Sequence, residues 1–199
     1  GARVRGEYAH HGGYGPILPA LNRLKVHHLT MEFTAPQAGD MEVFRALRED
    51  FEIGLGCVGC QPGRVDSTDE IVERVAEVKD GCGAESSRLV LISNASMFHR
   101  PVVVAGLETL HRHNGEIWAK LEAGTDEYYQ LIERTVVPFE RVLQNITAVA
   151  SRWPVVIQSL FMRVSGEAVP ESEIEAFCDR LCEIVSEGGR LKLGQVYTV

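Results

Sequence analysis

The stretch VVIQSLFMRVSGEAVPESEIEAFCDRLCEIVSEGGRLKLGQVYTV, residues 155–199, contains the pattern that decides the fold. It begins with a mostly apolar run at 155–162, which is typical of a parallel strand covered on both faces. The segment PESE at 170–173 is a helix start signal, and apolar residues then recur every three or four positions. The glycine pair at 188–189 ends this helix, and a second apolar run follows at 191–199. The stretch therefore predicts a strand–helix–strand unit.

The same alternation of short apolar runs and amphipathic helices repeats along the rest of the chain. The strand candidates are residues 3–5, 28–33, 53–58, 89–93, 117–121, 155–162 and 191–199. Alternation repeated about seven times implies parallel βαβ units with right-handed crossovers. We therefore predict the α/β class, with a parallel (βα) repeat that forms a partial or rearranged TIM-like barrel of about seven strands.

Composition excludes several classes of function. The chain has 199 residues, fewer than the roughly 250 of a typical closed α/β barrel. Its formal net charge of −8, with no basic tract, argues against nucleic acid or an anionic membrane as a partner. No apolar run approaches the roughly 18 residues needed to span a bilayer, and the first residues lack a signal-peptide core. Five cysteines, an odd number, favour a reducing cytoplasm.

The functional face of such a fold lies at the carboxyl ends of its strands. Glu32 follows the second strand candidate, His99 the fourth and Glu122 the fifth. Together these three side chains would supply a general acid–base or metal-binding group, and we predict them as catalytic residues. The alternative is that they are ordinary polar residues, because any α/β barrel places polar side chains at this edge.

The first part of the chain carries motifs of one enzyme family. They are GGYGPILPAL at 12–21, MEFT at 31–34, AGD at 38–40 and IGLG at 53–56. Residues 3–79 thereby resemble the catalytic barrel of cobalamin-independent methionine synthase. The resemblance implies a zinc ion held by a His-x-Cys pair, a glutamate and a later cysteine. Glu32 matches the glutamate, whereas Ala2 and Val4 occupy the His-x-Cys positions, so the parent reaction is not expected.

The later part of the chain carries motifs of a different family. They are RLVLISNASMFHRP at 88–101, KLEAGTDEYY at 120–129, VVIQSLFMRVSG at 155–166 and LKLGQVYTV at 191–199. Residues 82–198 thereby resemble the later strands of radical S-adenosylmethionine enzymes. The resemblance implies that Asn94, Ser96 and Glu122 contact S-adenosylmethionine. The C-x-x-x-C-x-x-C loop of that family is absent from the sequence, so no iron–sulfur cluster is expected.

Two partial barrels in one chain indicate a recombined or chimeric protein. We predict a single α/β domain over 1–199, built of a methionine-synthase-like segment at 1–80 and a radical-S-adenosylmethionine-like segment at 81–199. Seven strands leave unpaired sheet edges, and these predict a homo-oligomer.

The cysteines suggest two further sites. Cys57 and Cys60 have the spacing of a zinc or redox pair, and with Glu32 they are the predicted metal ligands; ordinary loop cysteines are the alternative. Cys178 and Cys182 lie four residues apart beside apolar neighbours, which favours buried small hydrophobes over metal ligands.

The sequence leaves two classes of function open, and with them the question of whether the chain is an enzyme. One is a small-molecule enzyme that uses the strand-end face, either as a metal-assisted hydrolase or by binding S-adenosylmethionine or a phosphate ligand. The other is a folded chimera that lacks both parent reactions.

Overall fold

The computed structural model describes five stretches of the chain, which are residues 3–4, 7–8, 13–32, 41–56 and 89–198. The chain divides into two compact units, Gly1–Ser87 and Arg88–Val199. Each unit is an α/β arrangement with a parallel sheet. The predictions for Cys57 and Cys60 concern positions outside the described residues, and the single domain over 1–199 stays a prediction.

The first unit contains two small sheets. Strand β1 (Arg3–Val4) pairs antiparallel with β2 (Glu7–Tyr8), and β3 (His28–Glu32) pairs parallel with β4 (Glu52–Gly56). The helical segments are 3-10 turns at Gly15–Ile17 and Met41–Ala46 and the short helix α1 (Leu18–Leu21). The strands predicted at 28–33 and 53–58 are confirmed over 28–32 and 53–56, and the remaining positions of both lie outside the described residues. The strand predicted at 3–5 is also present, but it pairs with its chain neighbour and is not part of the parallel sheet.

Arg48 joins the two chain segments of the first unit. Its guanidinium Nη1 donates to the carbonyl oxygens of Asn22 at 3.2 Å and Leu24 at 3.0 Å. The same guanidinium pairs with Asp50 at 2.8 Å and lies 4.2 Å from the ring centroid of Phe51. Hydrogen bonding to Arg48 lowers the pKa of Asp50. One arginine thereby fixes the chain that leads into β3.

The second unit is a four-stranded parallel sheet in the order β5-β6-β7-β8. Its strands are β5 (Val90–Ser93), β6 (Glu116–Lys120), β7 (Val155–Phe161) and β8 (Leu191–Thr198). Its helices are α2 (Pro101–Arg112), α3 (Asp126–Glu133), α4 (Phe139–Arg152) and α5 (Glu171–Ser186). Because the strand order follows the chain order, right-handed crossovers place all connecting helices on one face of the sheet.

One hydrophobic core lies between that face and the helices. On β6, Ile117 and Ala119 are buried in this core, whereas Trp118 between them belongs to the opposite face. The opposite face carries exposed apolar side chains, including Ile92 and Leu193 at 47% and 54% exposure. The expectation that each strand is covered on both faces is therefore wrong for the described part of this unit, because its helices cover one side.

The predicted α/β class with parallel strands is confirmed, whereas the predicted number of strands is too high for the described residues. The described residues form six parallel strands, in sheets of two and four, where about seven were expected. These strands do not close into a barrel within the described residues. Among the helices that the structure describes, none is long and apolar enough to cross a membrane.

Candidate functional site

The predicted residues of the second unit lie at the carboxyl ends of its strands. Asn94, Ser96 and His99 follow β5, and Glu122 lies two residues beyond the end of β6. In the first unit, Glu32 is the last residue of β3, whereas the sequence placed it after the strand, and its side chain lies outside the described part of the structure. The four positions of the second unit follow their strands as expected, and their functional roles stay predictions.

The loop after β5 uses two of these side chains for its own geometry. Asn94 Oδ1 accepts hydrogen bonds from the Ser96 backbone N at 3.2 Å and from the Ser96 Oγ at 2.8 Å. Between them, Ala95 has a φ of 58°, in the left-handed region. The hydrogen bonds between Asn94 and Ser96 thus stabilise a turn of the backbone.

Asn145 is a site residue that the sequence interpretation missed. It is buried on α4, and its Nδ2 donates to the carbonyl oxygens of Ala95 at 2.8 Å and Ser96 at 3.1 Å. The same atom lies 3.3 Å from His99 Nδ1, a contact in which the ring nitrogen is the acceptor. A polar asparagine beside the buried Ile146 of an amphipathic helix was the available signal, because a buried amide needs partners.

The loop after β6 is held by a buried carboxylate on α5. Glu173 accepts hydrogen bonds from the backbone N of Gly124 at 2.5 Å and of Thr125 at 3.1 Å, and from the Thr125 hydroxyl at 2.7 Å. The Thr125 oxygen in turn accepts from the Tyr128 N at 3.2 Å and caps α3. This network fixes the segment that carries Glu122.

Glu122 is a buried carboxylate that interacts with one cation and with a second carboxyl group. It is 5% exposed, and its Oε1 is 3.0 Å from the Nζ of Lys120. Hydrogen bonding to Glu122, burial and the negative charge of Glu122 raise the pKa of Glu133, the last residue of α3, to about 7, against the opposing effect of Lys120. Burial lowers the pKa of Lys120, but the contact with Glu122 outweighs it and the net pKa is raised.

Lys120, Glu122 and Glu133 together supply two carboxyl groups and one ammonium group. When both carboxyl groups are ionised these three side chains carry one net negative charge, which a proton on Glu133 neutralises. A carboxyl group with a pKa near neutrality is suited to general acid–base work. Among the described residues, His99 forms no hydrogen bond or ion pair with these three side chains, and its hydrogen-bonding neighbour is Asn145. Glu133 was missed by the sequence interpretation because it ends a helix and does not follow a strand.

The described residues offer no ready-made metal site. Within them, no group of three or more His, Cys, Asp or Glu side chains is arranged to hold a metal ion. The predicted set of Glu32, Cys57 and Cys60 rests on side chains that lie outside the described part, so it stays a prediction.

An open cleft of about 370 Å³ lies at the carboxyl ends of β7 and β8. Its lining is mostly apolar and consists of Phe161, Met162, Arg163, Ala168, Val169, Ile174 and Thr198. The Arg163 Nη1 donates to the carbonyl oxygen of Gly166 at 3.0 Å, within its own loop. The cleft offers an apolar surface beside one cation.

Comparison with known proteins gives one family match. Residues 11–93 match the model of the cobalamin-independent synthase, catalytic domain. The match covers less than half of the 199 residues and extends past the predicted boundary between segments 1–80 and 81–199. Comparison with curated proteins and with solved structures found no match. The methionine-synthase-like resemblance of the first part is thereby supported, and the radical S-adenosylmethionine resemblance stays a prediction.

Proposed function

We propose that the second unit binds a small cationic molecule at the carboxyl ends of its strands and exchanges a proton with it through Glu122 and Glu133. The observation that carries this proposal is the buried carboxylate of Glu122, which is paired with Lys120 at 3.0 Å and whose negative charge raises the pKa of Glu133. One net negative charge on these three side chains attracts either a proton or a positive group of a ligand. An isolated phosphate ligand is disfavoured for the same reason.

S-adenosylmethionine is the probe that fits this charge, because it carries a sulfonium and an ammonium group. The predicted contacts Asn94 and Ser96 lie at the same edge of the sheet, in the turn after β5. Since the ligand cation and the proton on Glu133 compete for the same carboxylates, we expect affinity to rise about tenfold from pH 6 to pH 8.

The proposal includes the loss of both parent reactions. At the positions where the methionine synthase resemblance implies a His-x-Cys pair, Ala2 and Val4 carry no donor atom, so the donor set does not fit that zinc ion. The three-cysteine loop that binds an iron–sulfur cluster is absent from the sequence. A metal-assisted hydrolase that uses the strand-end face, with Glu32, Cys57 and Cys60 as its predicted metal ligands, is the alternative. Zinc analysis of the purified protein, compared with C57S/C60S, tests that alternative directly.

Calorimetric titration with S-adenosylmethionine and with inorganic phosphate tests the proposal. We expect binding of S-adenosylmethionine to weaken at least tenfold in E122Q and in E133Q. Glu108 lies exposed on α2, so E108Q is the matched control and leaves binding unchanged. Equal affinity in wild type and E122Q, or tighter binding of phosphate, would overturn the proposal.

The second candidate is a folded chimera without a catalytic task. It is favoured by the local use of Asn94 and Ser96, whose side chains bond each other within a turn. In that case the same titrations give no heat, and E122Q changes the free energy of unfolding alone. We also propose that the chain is a homo-oligomer, as its sheet edges predict.

A further inference from the structure

Cys178 and Cys182 are exposed on α5, although the sequence predicted them as buried. The residues of this helix that face the core are Phe177 and Ile184, with exposures of 6% and 2%. The two cysteines lie four residues apart on the helix, on the part of its surface that is exposed to solvent. Exposed cysteines are uncommon, because the thiol is usually among the most buried side chains.

The helix places these thiols at a distance that suits a bridging metal and does not suit a disulfide. Side chains at i and i+4 have Cβ atoms about 5–6 Å apart. A disulfide requires Cβ atoms about 3.5–4.5 Å apart, so an intrahelical disulfide would break the helix. A metal–sulfur bond of about 2.3 Å holds two sulfur atoms ~3.8 Å apart in tetrahedral and ~4.6 Å apart in linear geometry. Both separations are within reach of sulfur atoms that tilt toward each other.

The charge around the pair attracts cations. Glu175 lies one turn before Cys178, and Asp179 and Glu183 each follow one of the cysteines. The single arginine of this helix, Arg180, is paired with Glu183 at 2.9 Å. The local charge therefore favours a metal ion, and the two thiol ligands select a soft one.

We propose that Cys178 and Cys182 form a two-thiolate site for a soft monovalent metal ion of the Cu(I) class. Each S–H bond releases its proton to solvent as a metal–sulfur bond forms. Copper stays in the +1 state throughout, so the step needs no oxidant or reductant. The site is on the helix-covered side of the second unit and does not depend on the proposed proton-exchanging carboxylates.

Anaerobic Cu(I) titration against a coloured Cu(I) chelator tests the site on the full chain. The matched variant is C182S/E183C, which keeps all five thiols but moves one to i+5, off the shared helical face. We expect this variant and C178S to hold one equivalent less Cu(I) than wild type, with at least 100-fold weaker binding at the site. Circular dichroism checks that the helix is retained.

A second variant separates this pair from the other cysteines. C57S/C60S/C82S leaves Cys178 and Cys182 as the available thiols and should still bind one Cu(I) per chain. Equal Cu(I) capacity in wild type and C182S/E183C would overturn the proposal, because thiol number rather than helical spacing would then explain binding. Failure of wild type to compete with the chelator would overturn it as well.

Discussion

Glu133 is a carboxyl group whose protonation depends on its neighbour Glu122. The pKa of Glu133 is about 7, above its ordinary value of 4.5. The folded protein therefore binds more protons than the unfolded chain between pH 4.5 and 7, so the free energy of unfolding falls as the pH rises through that window and the loss is complete above it. We expect a loss of about 1 kcal/mol, because Glu133 is only partly buried and solvent screens it.

Urea unfolding of wild type and E133Q from pH 4.5 to 8 measures this loss. E133Q should lack this component of the pH dependence, whereas the surface variant E108Q should follow wild type. In E122Q the charge and hydrogen bond that raise the pKa of Glu133 are weakened, so carbon NMR titration should place that pKa closer to 4.5. A titration of Glu133 unchanged by E122Q would contradict the coupling.

Asn145 and Ser159 are both buried, yet their substitutions should have opposite effects. Asn145 donates to the carbonyl oxygens of Ala95 and Ser96, so N145A leaves buried acceptors unpaired and should cost about 1–3 kcal/mol. The Ser159 hydroxyl, 1% exposed, forms no hydrogen bond with any described residue. S159A should therefore be neutral or stabilising, by up to about 1 kcal/mol. Equilibrium denaturation of the two variants compares them, and a costly S159A would indicate an undetected partner.

These residues mark the limit of what the sequence could predict about the site. Glu122 was predicted because its position follows directly from the end of an apolar strand. Glu133 and Asn145 reach the site from helices, and their contacts depend on how those helices pack. That packing is a tertiary property, so a periodic pattern of apolar residues does not contain it.

At the scale of elements, the turn after β6 depends on close approach to α5. A Cβ atom added at Gly124 would lie 2.1 Å from the backbone N of Phe177. Because that neighbour is backbone and cannot rotate away, G124A should shift the helix from the sheet and cost about 1–3 kcal/mol or more. Gly106 on α2 has open space around its Cβ position, so G106A should be stabilising by about 0.5–1 kcal/mol.

Thermal unfolding of the two alanine variants measures this difference. G124A should also weaken ligand binding at the strand-end site, since the same turn carries Glu122. Similar melting temperatures for G124A and G106A would contradict the close packing of the turn after β6 against α5.

The secondary structure of the second unit followed closely from its sequence. The strands predicted at 155–162 and 191–199 and the helix start at 170–173 correspond to β7, β8 and α5. The exposure of Cys178 could not be predicted from the sequence, because it depends on which face of α5 packs against the core. The one-sided covering of the sheet did not follow either, since an apolar run is also compatible with two covered faces.

At the scale of the whole molecule, the four-stranded sheet presents an unpaired edge at β5 and another at β8 within the described residues. Its uncovered face adds exposed apolar side chains, among them Ile92 and Leu193. Unpaired edges and exposed apolar surface both favour association with further chains. A second copy of the chain has the same unpaired edges, which can pair with those of the first copy. This supports the proposed homo-oligomer.

Light scattering after size-exclusion chromatography tests this association. Leu193 is 54% exposed on the uncovered face, and L193K should shift the mass toward the monomer because a lysine there opposes burial. Val136, 99% exposed in a loop, provides the control, and V136K should leave the mass unchanged. If wild type remains a monomer at high concentration, the uncovered face and free edges must be protected without a second copy, and the homo-oligomer proposal fails.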